Sequence, residues 1–311
     1  MTELPMISIL MPAYNEGHVI YESIQRVVSF MNTSSYRYEI IISDDGSWDN
    51  TFSEAMRAKQ EFGIVTTLRG QKNKGKGHAL KHAFLASRGD IIVFLDADLD
   101  MPPAQLSLFF HSLEKDSPDI IIASKRHPNS IIQYPLERKI LSLGYSFLMK
   151  LLFGLPVRDT QTGLKVFQRP VLEKIFPRVL CKKFAYDVEI LALAHYFGYR
   201  IHELPVIITY DRYKWSRVGL ETVFQIAKDT AAIFYRLKIL KWYQREEGVQ
   251  STSSILGDST VIASNNTVIA SKGTIIPSGS AIIPKEKAVI PSGSEESPLS
   301  SFPHPRTQGH V

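Results

Sequence analysis

The stretch FLDADLDMPP, Phe94 to Pro103, places Asp96, Asp98 and Asp100 two residues apart straight after the apolar run DIIVFL. Period-two spacing sends three such side chains to one side if extended backbone persists through them. Carboxylates held that close repel one another unless a cation joins them. An all-oxygen set with no His or Cys beside it suits Mg2+ or Mn2+, ions that bridge protein carboxylates and a diphosphate. Asp100, just before Pro102, offers a second role as a helix cap. Two more stretches carry matching chemistry. SDDGSWDNT supplies Asp44 and Asp45 as acceptors for ribose or base hydrogens, with Asp49 or Asn50 placed to cap a helix from about Thr51. RGQKNKGKGHAL is a Gly- and Lys-rich loop in which Arg69, Lys72, Lys74 and Lys76 can approach phosphates closely.

Something must hold these loops together, and the pattern of apolar runs says what. Strand-like runs at 5–11, 38–43, 63–68, 90–95 and 119–124 alternate with helix-period segments, as in βαβ units around a parallel sheet. Ile20, Ile24, Val27, Val28 and Met31 share one helical face, and PPAQLSLFFHSLEK opens on prolines suited to a first turn. In such a sheet ligands gather outside the carboxyl ends of the strands. The first, second and fourth runs end there in PAYNEG, DDGSWDNT and DADLD. After residue 125 the alternation loosens into a loop, an apolar helix over 136–153, shorter elements and an amphipathic helix over 218–243.

A chain of 311 residues, 44% hydrophobic and 22% charged, buries a full α/β core. The formal charge is +5, and residues 246–311 hold six acidic and four basic residues, so the first 245 carry 25 acidic against 32 basic. The folded part is therefore the basic part, which fits phosphates or anionic lipid; no nucleic-acid motif occurs. The single Cys181 excludes an internal disulfide and suits a reducing compartment. The opening MTELPMISIL lacks a signal-peptide pattern, and no apolar run of spanning length occurs. The division expected is a domain over 1–245 and a Ser/Pro/Gly-rich tail over 246–311. The tail composition fits a disordered extension, and its recurring TVIAS, TIIPSGS and AVIPSGS leave a short β-type repeat as the alternative.

PAYNE, DDGSWDNT, NKGKGHAL, DADLD, RDTQTGLKVF and FAYDVEIL, in this order and spacing, resemble glycosyltransferase family 2, nearest the dolichyl- or polyprenyl-phosphate glucosyl- and mannosyltransferases. The resemblance covers roughly residues 5–240 and implies the GT-A nucleotide-sugar fold, a mostly parallel central sheet flanked by helices. It implies that Pro12, Ala13, Tyr14, Glu16 and Asp44, with Asp45 beside it, contact the nucleoside. It also implies that Lys76 lies near the diphosphate and that Asp96 and Asp98, with Ala97 between them, hold donor and metal. Asp100 stands where many lipid-phosphate members carry Gln, adding charge to the metal set. DTQTGLK makes Asp159, Gln161 and Lys165 site candidates, and KWSRV places Ser216 and Arg217 at an acceptor loop without its usual Gly.

What attacks the sugar decides which other groups matter. A phosphate monoester is largely dianionic at neutral pH and needs positioning more than deprotonation, which favours the cations Arg126, Arg158, Lys165 and Arg217. A sugar hydroxyl needs a base, for which Asp187 or Glu189 in YDVEIL is available; Asp187 has helix capping as its alternative role. His195 and His202 have no second His at a useful spacing and read as packing or surface residues. ILSLGYSFLMKLLFGLPV over 140–157, flanked by Arg138, Lys139 and Arg158, suits a helix lying in a membrane interface. The last helix adds Val223, Ala227, Ala231, Phe234 and Leu237 on one side, with Arg236, Lys238, Lys241, Trp242 and Tyr243 near its end.

The expected activity is thus a metal-dependent, inverting hexosyl transfer, of glucose or mannose, from a UDP- or GDP-sugar to polyprenyl or dolichyl phosphate. The setting expected is the cytoplasmic face of a membrane, with peripheral contact to anionic lipid. The alternatives are a saccharide hydroxyl acceptor in cell-surface polysaccharide synthesis, nucleotidyl transfer, and a non-catalytic partner protein.

Overall fold

The computed structural model describes residues 4–132, 136–183, 185–208 and 220–245, with the short segments 261–264, 267–269 and 275–277. The chain begins as three βα units: β1 (Ile7–Ala13), α1 (Ile20–Met31), β2 (Tyr38–Asp44), α2 (Thr51–Glu61), β3 (Val65–Arg69) and α3 (Lys76–Ala86). β4 (Ile91–Phe94), α4 (Leu106–Asp116) and β5 (Ile120–Ser124) follow, then β6 (Ile131–Ile132), α5 (Leu136–Phe153), β7 (Lys165–Gln168), α6 (Arg169–Ile175), α7 (Tyr186–Tyr196), β8 (Ile201–Pro205), β9 (Ile207–Ile208) and α8 (Leu220–Phe234). The central strands run in the order β3-β2-β1-β4-β7-β5-β8. β7 is antiparallel to β4 and β5, and the other neighbours in that row are parallel.

Both faces of the sheet are covered, which is why its strands read as unbroken apolar runs. Ile7, Ile9, Met11 and Ala13 of β1 pack with the expected α1 face, Ile20, Ile24, Val27, Val28 and Met31, and with Phe109 and Phe110 of α4. Leu10 points the other way, into a cluster with Leu80 and Phe84 of α3, Phe94, Phe167 and the apolar residues of α7. Two cores, one per face, thus fix the sheet register, and the register sets which loops meet at its edge.

Two regions differ from the sequence expectation. The helix expected over 218–243 ends as α8 at Phe234 and continues as a π turn, Tyr235–Ile239; Lys241 then turns left-handed (φ 49°) before a 3-10 turn, Trp242–Gln244. A π turn shifts the facing of the side chains after it. Here Arg236 and Tyr243 reach the buried Glu189 instead of facing a lipid headgroup region. Within the tail, β10 (Val261–Ser264), β11 (Thr267–Ile269) and β12 (Ile275–Pro277) extend the sheet antiparallel beyond β3, pairing Val261 with Arg69, Ile262 with Leu68 and Ala263 with Thr67. The β-branched repeats thus supply strands at the exposed β3 edge, and the rest of 246–311 lies outside the described residues.

Candidate active site

The carboxyl ends of β1 and β2 carry two loops stitched to each other. Asp45 N–H donates to Ala13 O (2.9 Å), Asn15 N–H to Ser47 Oγ (2.9 Å), Glu16 N–H to Thr51 Oγ1 (2.8 Å) and Gly17 N–H to Asp49 Oδ2 (3.0 Å). Ala13 and Glu16 enter these bonds through their backbone, while Tyr14 and Trp48 stay exposed at the rim. Trp48, unremarked in sequence, becomes notable only through that exposure. Asp44 is fully buried: its Oδ1 accepts Ser47 N–H (2.9 Å), whereas Oδ2 has no hydrogen-bond donor and Arg69 Nε lies 3.8 Å from it. A buried acceptor without a donor is costly unless something completes it. Asp45 plays a different part from the ligand contact expected of it. Its carboxylate accepts the N–H groups of Lys74 (3.0 Å) and Gly75 (2.6 Å), and so anchors the Lys-rich loop. Burial raises its pKa despite those bonds.

That loop leads straight into α3. Gly75 sits at φ +103°, and a β-carbon there would strike the carbonyl of Lys182. Lys182 O in turn accepts Gly77 N–H (2.9 Å). Lys76, the first residue of α3, is thereby aimed at Asp96, and Lys76 Nζ and Asp96 Oδ1 form an ion pair with about a third of each side chain exposed (34% and 36%). Burial works to lower the Lys76 pKa, but the Asp96, Asp187 and Asp98 carboxylates outweigh it and hold it above the ordinary lysine value. Burial likewise works to raise Asp96, which Lys76, Lys165 and Lys125 hold below its ordinary value.

The expected row of three carboxylates does not form. Extended backbone stops at Phe94; Leu99 N–H donates back to Asp96 O (3.1 Å), and Leu99, buried, takes a left-handed φ of 50°. Asp100 is turned out to solvent, its N–H donating to Asp98 Oδ1 (3.3 Å). Among the described residues no group of three His, Cys, Asp or Glu side chains is arranged to hold a metal. Asp96 and Asp98 remain, with the Asp96 carboxylate lying so close to Gly163 that any β-carbon there would overlap it. Two hard-oxygen donors fit a divalent ion that takes its other ligands from water and a diphosphate. They do not fit a closed protein cage.

The β7 side supplies the floor. Lys165, expected to face an acceptor phosphate, is 1% exposed; its Nζ donates to Asp187 Oδ1 (2.5 Å) and to Thr162 O. Asp187, 9% exposed in side chain, therefore serves as the partner of Lys165. Glu189 is fully buried, with Oε2 accepting Leu180 N–H (2.9 Å) and Cys181 N–H (2.7 Å) and Oε1 accepting the Tyr243 hydroxyl beside Arg236 Nη2 (3.4 Å). It is a structural anchor, not a base. Asp159 spends its oxygens on Lys125 N–H (3.1 Å) and Gln161 N–H (3.2 Å), holding the loop on which Gln161 is exposed. Arg126 Nη1 donates to Arg158 O (2.7 Å), so those two arginines share one corner. Ser216 and Arg217 lie outside the described residues. Lys125, passed over in sequence, joins the site through its charge on Asp96 and its bond to Asp159. Only the fold brings it there.

A mostly parallel sheet with donor-type loops at the carboxyl ends of β1, β2 and β4 defines the GT-A class, and solved structures agree. Glucosyl-3-phosphoglycerate synthase from Mycobacterium tuberculosis, in complex with Mn2+, UDP and phosphoglyceric acid, superposes with a TM-score of 0.56 at 19% identity, covering 74% of this chain and 78% of that one. Residues 8–176 match Glycosyl transferase family 2, and the chain belongs to that family; it is a glycosyltransferase. The dolichyl-phosphate beta-glucosyltransferase of Dictyostelium discoideum is 30% identical over 255 residues, 76% of each chain. The Homo sapiens protein of that name is 31% identical over 254 residues, 75% of this chain and 76% of that one.

Proposed function

We propose that the protein moves a hexose, in the first instance glucose, from a nucleoside-diphosphate sugar to a polyprenyl or dolichyl phosphate, with inversion, at the cytoplasmic face of a membrane. One observation carries the reading. The carboxyl edge of the sheet offers, in order, a buried carboxylate oxygen awaiting a donor (Asp44), an ammonium (Lys76) and two carboxylates (Asp96 and Asp98). That order suits a base or ribose, a diphosphate and the sugar-bearing phosphate. The names of the relatives above favour glucose and the lipid phosphate.

Mg2+ or Mn2+, held by Asp96 and Asp98, would stabilise charge on the departing nucleoside diphosphate. Asp44 orients the nucleoside through Oδ2, and Lys76 neutralises the leaving oxygens. The acceptor phosphate, already dianionic, needs orientation by nearby cations, for which Arg126, Arg158 and Lys125 stand at the open corner. Both carboxylates available as a base are engaged, Asp187 by Lys165 and Glu189 by four donors, which supports an acceptor that needs no deprotonation. A membrane surface is supported by exposed apolar groups one turn apart, Phe147 and Leu151 (each 70%) on α5, and Tyr235 and Ile239 beside Lys238 at the end of α8. No helix among the described residues is long and apolar enough to cross a membrane, so the contact would be peripheral.

Purified protein with Mn2+, a short-chain polyprenyl phosphate and a panel of UDP- and GDP-sugars tests the reading. Glucosyl lipid with release of nucleoside diphosphate is expected. Transfer only to a glycan points to the hydroxyl acceptor, and pyrophosphate release to nucleotidyl transfer. Asp98→Ala is expected to fold normally and to lose about a thousandfold in turnover.

A further inference from the structure

Lys76 occupies one of the two carboxylates that a divalent ion would need. Its ammonium is bonded to Asp96 Oδ1, and an ammonium and a divalent ion drawn to that one oxygen repel each other at close range. The surrounding charges are already balanced: Asp96, Asp98 and Asp187 face Lys76, Lys165 and Lys125. A doubly charged ion entering this set alone meets three ammonium groups and finds Asp96 Oδ1 already bonded to one of them. The same ion arriving with a diphosphate brings its own negative charge and leaves an anion for the displaced ammonium to hold.

The surroundings of Lys76 permit that exchange and those of Lys165 do not. About a third of the Lys76 and Asp96 side chains is open to solvent, whereas Lys165 and Asp187 are 1% and 9% exposed and Lys165 also donates to Thr162 O. The Lys76 backbone is fixed, because Gly75 N–H is held by Asp45 and Gly77 N–H by Lys182 O. Only its four-carbon stem is free to swing.

We infer that Lys76 is a placeholder cation: it neutralises Asp96 until a divalent ion binds together with a nucleoside diphosphate, then moves from Asp96 to the diphosphate, so that the metal binds strongly only with nucleotide. This rests on the reading above that Asp96 and Asp98 take a metal and a nucleotide sugar. It adds a binding order that the carboxylates alone do not impose.

Mn2+ titration of the full chain, followed by the electron paramagnetic resonance of free Mn2+, tests it with UDP, with GDP and without nucleotide. Wild type is expected to bind Mn2+ weakly alone and at least tenfold more tightly with its nucleotide. Lys76→Met is expected to bind Mn2+ alone about tenfold more tightly than wild type, the scale of removing one nearby like charge. In Mn2+ it should bind the nucleotide about tenfold more weakly, while Lys76→Arg restores the wild-type order. Should Lys76→Met fail to give a native circular dichroism spectrum, Lys76→Gln carries the same expectation. Unchanged or weaker Mn2+ binding by the neutral variant without nucleotide, beside normal nucleotide-dependent binding in wild type, overturns the exchange alone. Wild type that binds no Mn2+ even with UDP or GDP overturns the metal reading and the exchange together.

Discussion

Two lysine–aspartate pairs lie within one site and differ in nearly everything except chemistry. Lys165 and Asp187 are shut away in the floor beneath β7 and the first turn of α7; Lys76 and Asp96 stand at the mouth, where the α3 N-terminus meets the end of β4. A buried pair is costly to assemble and more costly to break, because removing one partner strands the other charge without water. A pair open to solvent gains little and loses little. Burial thus divides the labour: the inner pair fixes where the walls stand, and the outer pair is available for exchange with ligands.

Breaking the inner pair should give the largest effect. Lys165→Met leaves Asp187 buried without its partner and is expected to cost roughly 3–5 kcal/mol, a fall in melting temperature of about 10 °C. The double variant Lys165→Met/Asp187→Leu should recover much of that loss in the same calorimetric scan. If the single variant melts with wild type, the inner pair is not what holds the floor.

Acid sensitivity is the next test, because it should arise inside the protein and not at the mouth. His82 lies on α3 with Nε2 buried and without a partner. Burial, then the His78 and Lys74 charges, depress its pKa from 6.5 to about 4. Between those values the unfolded chain takes up a proton that the folded chain refuses, so stability falls as pH falls from 6.5 to 4, by about 3 kcal/mol at most. Asp96, held below its ordinary value by Lys76, keeps its charge over most of that range. His82→Gln should flatten the decline in a pH series of melting curves, and an unchanged slope would place the acid-labile group elsewhere.

Glu189 sharpens the distinction between holding and reacting. Glu189→Gln should cost about 1–3 kcal/mol, since its bonds to Leu180, Cys181 and Tyr243 weaken. Turnover at saturating donor should stay within a few-fold, with the alkaline and acid limbs of the pH profile unmoved. A base removed from the reaction would take one limb with it.

These roles mark where sequence reading stops. The order of strands and helices, the α1 face and the loops ending β1, β2 and β4 were legible because they follow from local periodicity and turn chemistry. The placement of Asp44 and Lys76 at that edge was legible for the same reason. That Asp100 points away was not, because a single left-handed residue, Leu99, turns the backbone there, and that leucine is buried in a core drawn from distant strands. Nor could spacing reveal that Glu189, two residues beyond Asp187, is consumed by a hydroxyl 54 positions later; only the π turn after α8 brings Tyr243 there. Charged residues in a motif look alike in sequence and are sorted by burial, which is a property of the whole fold.

The smallest expected effect is the other half of the comparison. Lys76→Met removes the outer pair, and solvent at the mouth replaces most of what each partner loses. Its stability should therefore change by less than about 1 kcal/mol, or roughly 2–4 °C in melting temperature, while its binding properties change severalfold. Measured beside Lys165→Met in one calorimetric series, the two variants should separate clearly. Equal destabilisation would mean that Lys76 is as much a fixture as Lys165, and a fixed ammonium on Asp96 would oppose a metal ion at that oxygen whether or not a diphosphate is present.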